Sequence, residues 1–216
     1  MFNQILKIAI CISLFTSCTK SGYDESIVYN SNFAVGNQAG LKGAILYKNN
    51  EAYLIGRYNN GGFTLDLNNL PKHKAIQIEV VPYFHNSWDG NNNFGGIDGP
   101  DIWRMQADGV DVVNSTFSNT PCTSMYCLFQ SYPEKYAIVN NPPMTDAFKI
   151  MSGTIDNCSG INTTSAYKIV RTILHTKSTL NLDFRDFLVQ TNVPNKLCDE
   201  SWSIASIVVK VINTPN

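Results

Sequence analysis

Apolar and polar residues alternate along most of this chain in short runs broken by Asn, Gly and Pro. Residues 75–84 put Ile76, Ile78, Val80 and Phe84 on one face and Gln77 and Glu79 on the other. That is the two-residue period of a half-buried strand. Pro82 interrupts its row of donors, which predicts an edge or a bulge near the strand's end. Residues 167–175 are rich in β-branched side chains, and 179–184 alternate Leu180, Leu182 and Phe184 with polar neighbours. Residues 203–212 are mostly apolar and predict a closing strand in the middle of a sheet. Shorter strands are predicted over 44–47, 52–57, 63–67, 102–107 and 147–154. Turn-forming sequences stand between them: Lys48-Asn49-Asn50, Asn59-Asn60-Gly61-Gly62 and Asp108-Gly109. No stretch of ten or more residues carries a convincing helical period. The pattern predicts an all-β fold, an antiparallel β-sandwich or jelly roll, without an interior linker or repeat.

Composition narrows the classes. With 44% hydrophobic residues, the 216-residue chain has enough apolar material for a packed core, which argues against disorder. Sixteen basic and 17 acidic side chains give a net charge of -1, so there is no basic footprint for nucleic acid. The low charged fraction, 15%, is offset by 25 Asn. No run of 18 apolar residues exists to make a spanning helix.

The chain's beginning departs from the strand pattern. Lys7 precedes a short apolar run over 8–15, then comes Leu14-Phe15-Thr16-Ser17-Cys18. This resembles the signal of bacterial envelope lipoproteins, in which the Cys thiol is diacylated and becomes the mature N-terminus. Phe15 stands where that family has an aliphatic residue; an ordinary cleaved signal is the competing reading. The resemblance implies lipidation at Cys18 and a membrane anchor, and Thr19, in place of an acidic residue, implies the outer membrane. The expected division is a signal peptide over 1–17, a lipidated N-terminus, tether and first strand region over 18–40, and a β-sandwich over 41–216.

Cys11 lies inside the apolar run and reads as a small hydrophobe. Cys122, Cys127, Cys158 and Cys198 remain, an even number in an exported chain, which suggests disulfides in one of three pairings. Cys122–Cys127 with Cys158–Cys198 is the preferred one. A zinc site is the rival, weakened by the loose spacing.

Residues 85–101 are too long a connection for a hairpin and are dense in Asp, Asn and Gly. Asn86, Asp89, Asp98 and Asp101 offer oxygen donors of the kind calcium takes, although the spacing is not that of an EF-hand. The alternative is a solvated loop whose Asx side chains cap its own turns. Within and around it, in order, come Leu70-Pro71-Lys72-His73, Ser87-Trp88-Asp89-Gly90, Gly99-Pro100-Asp101-Ile102-Trp103, Thr116-Phe117-Ser118-Asn119, Gln130-Ser131-Tyr132-Pro133 and Asp199-Glu200-Ser201-Trp202. Together they resemble an extracellular β-sandwich module of bacterial surface and secreted proteins, over about residues 41–213. That module usually has Asp where Asn86 stands and Gly where Ser203 stands. It is an accessory module without an assigned reaction, so the resemblance speaks for the fold.

Two classes of function compete. The four carboxylates Asp89, Asp101, Asp199 and Glu200 stand beside Trp88, Trp103 and Trp202, so a sugar-cleaving pair is available. The same tryptophans suit a ligand platform or plain core. No Gly-x-Ser-x-Gly elbow or phosphate-cradling loop is present. His73, His85 and His175 lack metal-hydrolase spacing, with His85, beside the Asx-rich loop, kept as a supporting group for its site. The expectation is therefore a non-catalytic surface binding or adhesion lipoprotein, stabilised by calcium, using Trp88, Trp103 and Trp202 against a glycan or a surface protein. Its alternatives are a glycoside hydrolase-like enzyme using the loop carboxylates, or a purely structural envelope domain.

Overall fold

The structure, a computed structural model, describes residues 24–36, 38–49, 52–152, 158, 163–191 and 193–213. The expected signal peptide over 1–17 and the expected lipidation site Cys18 lie outside them. The strands in chain order are β1 (Asp24–Asn32), β2 (Leu41–Lys42), β3 (Leu46–Asn49), β4 (Ala52–Tyr58), β5 (Gly62–Leu67), β6 (Ala75–Asn86), β7 (Ile102–Ala107), β8 (Val110–Thr116), β9 (Lys149–Ser152), β10 (Thr163–Ala166), β11 (Ile169–Leu174), β12 (Leu180–Phe187) and β13 (Glu200–Asn213). They form two antiparallel sheets, so the all-β sandwich holds. The α-helix among the described residues is the single turn α1 (Lys196–Asp199).

The larger sheet is built on two long partners, β6 and β13, paired from Glu200↔Asn86 to Ile212↔Ala75. Each is flanked on its outer side by two shorter strands end to end: β4 and β1 along β13, β10 and β11 along β6. Pro82 is thus in a central strand, not at an edge. Its missing N–H falls where the flank of β6 changes from β11 to β10, and β13 bulges opposite it between Ile204 and Ser206. The smaller sheet runs β2-β5-β12-β7-β8. Asp108 and Gly109 both take positive φ, 51° and 80°, which gives the β7–β8 hairpin a turn matched to strand twist.

The inward faces meet in one core. Ile76, Ile78, Val80 and Phe84 of β6 and Ile207, Val209 and Val211 of β13 face Leu180, Leu182 and Phe184 of β12 with Trp103 and Met105 of β7. Trp88, Trp103 and Trp202 are wholly buried there: Trp103 meets Trp202 edge-on at 5.8 Å, and Trp88 meets Phe84 at 4.7 Å. The surface platform expected of these three tryptophans is thereby corrected, because no ligand reaches their faces. Trp202→Ala should cost about 3–5 kcal/mol, read as a fall in the urea midpoint with unchanged slope.

Within residues 18–40, β1 begins at Asp24 and pairs with the end of β13. The Asn59–Gly62 turn does not close a hairpin. It carries the chain from β4 in one sheet to β5 in the other, with its amides held by Asp186: Asn60 N–H donates at 2.6 Å and Gly61 N–H at 2.8 Å. The four mature cysteines pair as Cys122–Cys127 and Cys158–Cys198, with Cα separations of 4.3 and 5.2 Å. That leaves none of these thiols for zinc.

Candidate acidic centre

Three elements deliver the site. β6 ends at Asn86, and the chain turns back over the end of the sandwich through Trp88 and Asp89. Trp88 Nε1 donates to Ser201 O at 3.0 Å, which roots this turn in β13. Gly90 follows with φ +68°, and a Cβ there would stand 2.1 Å from Phe129 O, so only glycine lets the two loops approach. The segment returns at Asp101, whose N–H donates to Gly90 O at 2.9 Å, immediately before β7. Glu200 opens β13 and sits directly across the strand pair from Asn86.

Asp89, Asp101 and Glu200 thereby present carboxylate oxygens that all lie within 4.8 Å of one another. Asp101 and Glu200 are buried outright, while Asp89 keeps 8% of its surface. Asp101 Oδ2 accepts from the Asp89 backbone N–H, and the Asp101 and Glu200 carboxyls are hydrogen-bonded to each other. Asp101 Oδ1 and Glu200 Oε2 have no partner among the described residues. The same is true of Asn86 Oδ1, on a fully buried side chain whose nitrogen lies 3.5 Å from Leu197 O. Cross-strand neighbours share a face with Cβ atoms about 5 Å apart, so Asn86 borders the cluster.

Charge is costly here. Two like charges at this spacing repel by roughly 3 kcal/mol even at an effective dielectric of 20. Burial, then Asp101 and Asp98, push Asp89 up to about 8. Asp101 is pushed up to about 7 by burial, against the pull of its hydrogen bonds to Glu200 and the Asp89 amide. Glu200 is raised furthest, by burial and then by Asp101. Without a cation the cluster holds protons at neutral pH; with one, all three carboxylates ionise.

The sequence had named Asp89 and Asp101 as cation ligands, and they do converge. Asn86 is at the border, and Asp98 is a partly exposed neighbour hydrogen-bonded to Asp89. Glu200, absent from the expected ligand set, supplies the third carboxylate. Asp199 points elsewhere, accepting from Ser87 Oγ at 3.0 Å and Gln190 Nε2 at 3.2 Å. His85 is no part of the centre. It lies buried between Thr164 Oγ1 (3.0 Å) and Ser203 Oγ (2.7 Å), and burial, then Arg57, push it down to about 3. His73 and His175 pair with each other at 2.7 Å, near the far end of β6.

The expectation of a non-catalytic binding surface is overturned by this cluster. Three buried carboxylates drawn together from the two ends of one loop and from a strand are a plausible catalytic or metal-coordinating centre, whereas a binding face needs no carboxylates sealed beneath it. No protein-family model matches the chain, and no curated protein matches it.

Proposed function

We propose that this protein is a cation-dependent hydrolase whose centre is Asp89, Asp101 and Glu200, with calcium as the ion. The observation that carries this reading is the pair of buried, unpartnered oxygens, Asp101 Oδ1 and Glu200 Oε2, facing a third carboxylate within 4.8 Å. Unsatisfied carboxylate oxygen in a dry site is strongly unfavourable, and a hard cation removes that cost. The donors are all oxygen, with no imidazole or thiolate, which favours calcium over zinc. Bound there, the cation supplies Lewis-acid polarisation of a substrate oxygen or of water. Asp101 and Glu200 would hold it, and Asn86 would offer a neutral carbonyl oxygen at the border. Asp89, the one carboxylate with a surface, faces the incoming substrate.

A second reading rests on the same spacing. Carboxylates this close approach the separation of about 5–5.5 Å at which one acts as nucleophile and the other as acid in sugar cleavage. Asp89, held protonated at neutral pH, would be the acid.

Calorimetric titration of chelator-stripped protein tests the main reading. One calcium should bind per chain, and the binding should vanish in Asp101→Asn and Glu200→Gln. Wild-type protein that binds none would overturn it. Hydrolysis of glycosides that persists in chelator would shift the assignment to the acid–base pair. The proposal places the enzyme at the outer membrane, anchored through Cys18 on the strength of the Thr16-Ser17-Cys18 sequence. Cys18→Ala should release it to the soluble fraction, and a mature N-terminus beyond Cys18 in mass spectrometry would refute the anchor.

A further inference from the structure

Beside Asp89 the surface carries a groove of about 450 Å³ between two loops, residues 91–94 and 125–129, with Asn140 at its rim. Phe94 and Tyr126 are 42% and 44% exposed, yet their rings stack on each other at 6.3 Å and 22° across the two loops. Exposed aromatic rings that stay in register belong to a prepared surface, and this one is well braced. The Cys122–Cys127 disulfide closes the loop that carries Tyr126, and Thr123 N–H donates to Tyr126 O at 2.8 Å inside it. Asn91 N–H donates to Phe129 O at 2.7 Å and fastens one loop to the other.

The polar rim is equally ordered. Asn91 Nδ2 donates to Val139 O at 2.9 Å and to Asn140 Oδ1 at 2.7 Å, and Asn91 Oδ1 accepts from Ser131 Oγ at 2.7 Å. Asn92 Oδ1 accepts from Asn93 N–H at 3.0 Å. The carbonyl ends of Asn92 and Asn140 are thus engaged, which leaves their NH2 groups as donors at the groove. No charged side chain lines it. Asp89 and Asp98 lie close enough to act on the Tyr126 phenol, which stands above its ordinary value first through burial and then through them.

We infer that this groove is a subsite for a neutral oligosaccharide. Aromatic faces match the apolar faces of pyranose rings, and fixed amide donors match their hydroxyl groups. No cationic side chain lines the groove to pair with an anionic glycan, nucleic acid or phosphorylated partner, and the rigid loops lower the ordering cost of binding. As the substrate class of the centre at Asp89, the inference rests on the proposed function; as a binding site, it stands on Phe94, Tyr126, Asn92 and Asn140 alone.

The test is calorimetry with neutral tri- to hexasaccharides of glucose, mannose, xylose and N-acetylglucosamine, on the disulfide-intact protein, with calcium and with chelator. At least one series should bind, and Phe94→Ala and Tyr126→Ala should each weaken it about tenfold. Asn140→Ala should weaken it less, and Val110→Ala, an exposed apolar residue on the β7–β8 hairpin, should leave it unchanged. Because these side chains are exposed, melting temperatures should match wild type, so lost binding is not lost folding. Binding that survives in chelator and in Glu200→Gln supports the groove even if the cation reading fails. No binding of any series at millimolar concentration, binding indifferent to Phe94 and Tyr126, or binding of charged glycans only would each overturn the inference.

Discussion

In chelator, raising the pH from 6.5 to 8 should destabilise this protein by at least about 2 kcal/mol, or at least about 4–8 °C in melting temperature, and calcium should reverse the loss. Asp89 and Asp101 titrate in the folded state at about 8 and about 7. In the unfolded chain both release their protons near 4. A folded pKa raised above the unfolded one gives stability that is present below the unfolded value and lost as pH rises through the folded value. Across this window the unfolded state therefore binds fewer protons, and stability must fall. His85 acts in the opposite sense. Its folded value of about 3 lies below the unfolded one, so its contribution is present above about 6.5 and lost as pH falls towards 3. Above about pH 7.5 it is neutral in both states, and between 6.5 and 8 it offsets only about 0.4 kcal/mol of the loss, so the carboxylates dominate this window. Calcium at a hundred times its dissociation constant adds about 2.7 kcal/mol and removes the slope by ionising the cluster in the fold. Glu200→Gln should raise stability in chelator while cancelling the response to calcium. Melting curves flat with pH in chelator and indifferent to calcium would dispose of the centre.

The second large effect concerns the Cys158–Cys198 bridge. It spans 40 residues, against 5 for Cys122–Cys127. In the chain-entropy account the longer loop contributes about 2 kcal/mol more, within a total of about 2–4 kcal/mol. Cys198 also lies in α1, two residues before Glu200. Replacing Cys158 and Cys198 by Ser should therefore lower the urea midpoint and weaken calcium binding together. The Cys122/Cys127 pair should show a smaller stability loss and leave calcium untouched. Equal losses from the two pairs would contradict the assignment of α1 as the support of Glu200.

The strands were legible where alternation was strong. Residues 75–84 and 203–212 lie within strands, 179–184 begins one residue before β12, and 102–107 coincides with β7. β10 was missed because Thr-Thr-Ser-Ala carries no apolar contrast, although Thr164, Ser165 and Ala166 are buried. The partition into sheets was invisible at Asn59–Gly62, since turn chemistry does not say which sheet receives the next strand. Trp103 was readable as core: it keeps step with Met105 and Ala107, both inward, as Trp202 does with Ile204. In the site, Asp89 and Asp101 announced themselves inside one loop. Glu200 stands 99 positions beyond Asp101, and only the β6–β13 register brings it opposite Asn86.

That register also orients the molecule. β6 and β13 run side by side from the Asn86–Glu200 end to the Ala75–Ile212 end, and Asp24, where β1 begins, pairs with Asn213 at the latter. Twelve residues of strand span roughly 35–40 Å. An acyl chain on Cys18, six residues before Asp24, would therefore hold the sandwich by its far end, like a post set in the bilayer, with the acidic centre and its groove at the top. With such an anchor the working end would stand clear of the lipid headgroups by about the thickness of another small domain, open to polymers too large to approach the membrane closely.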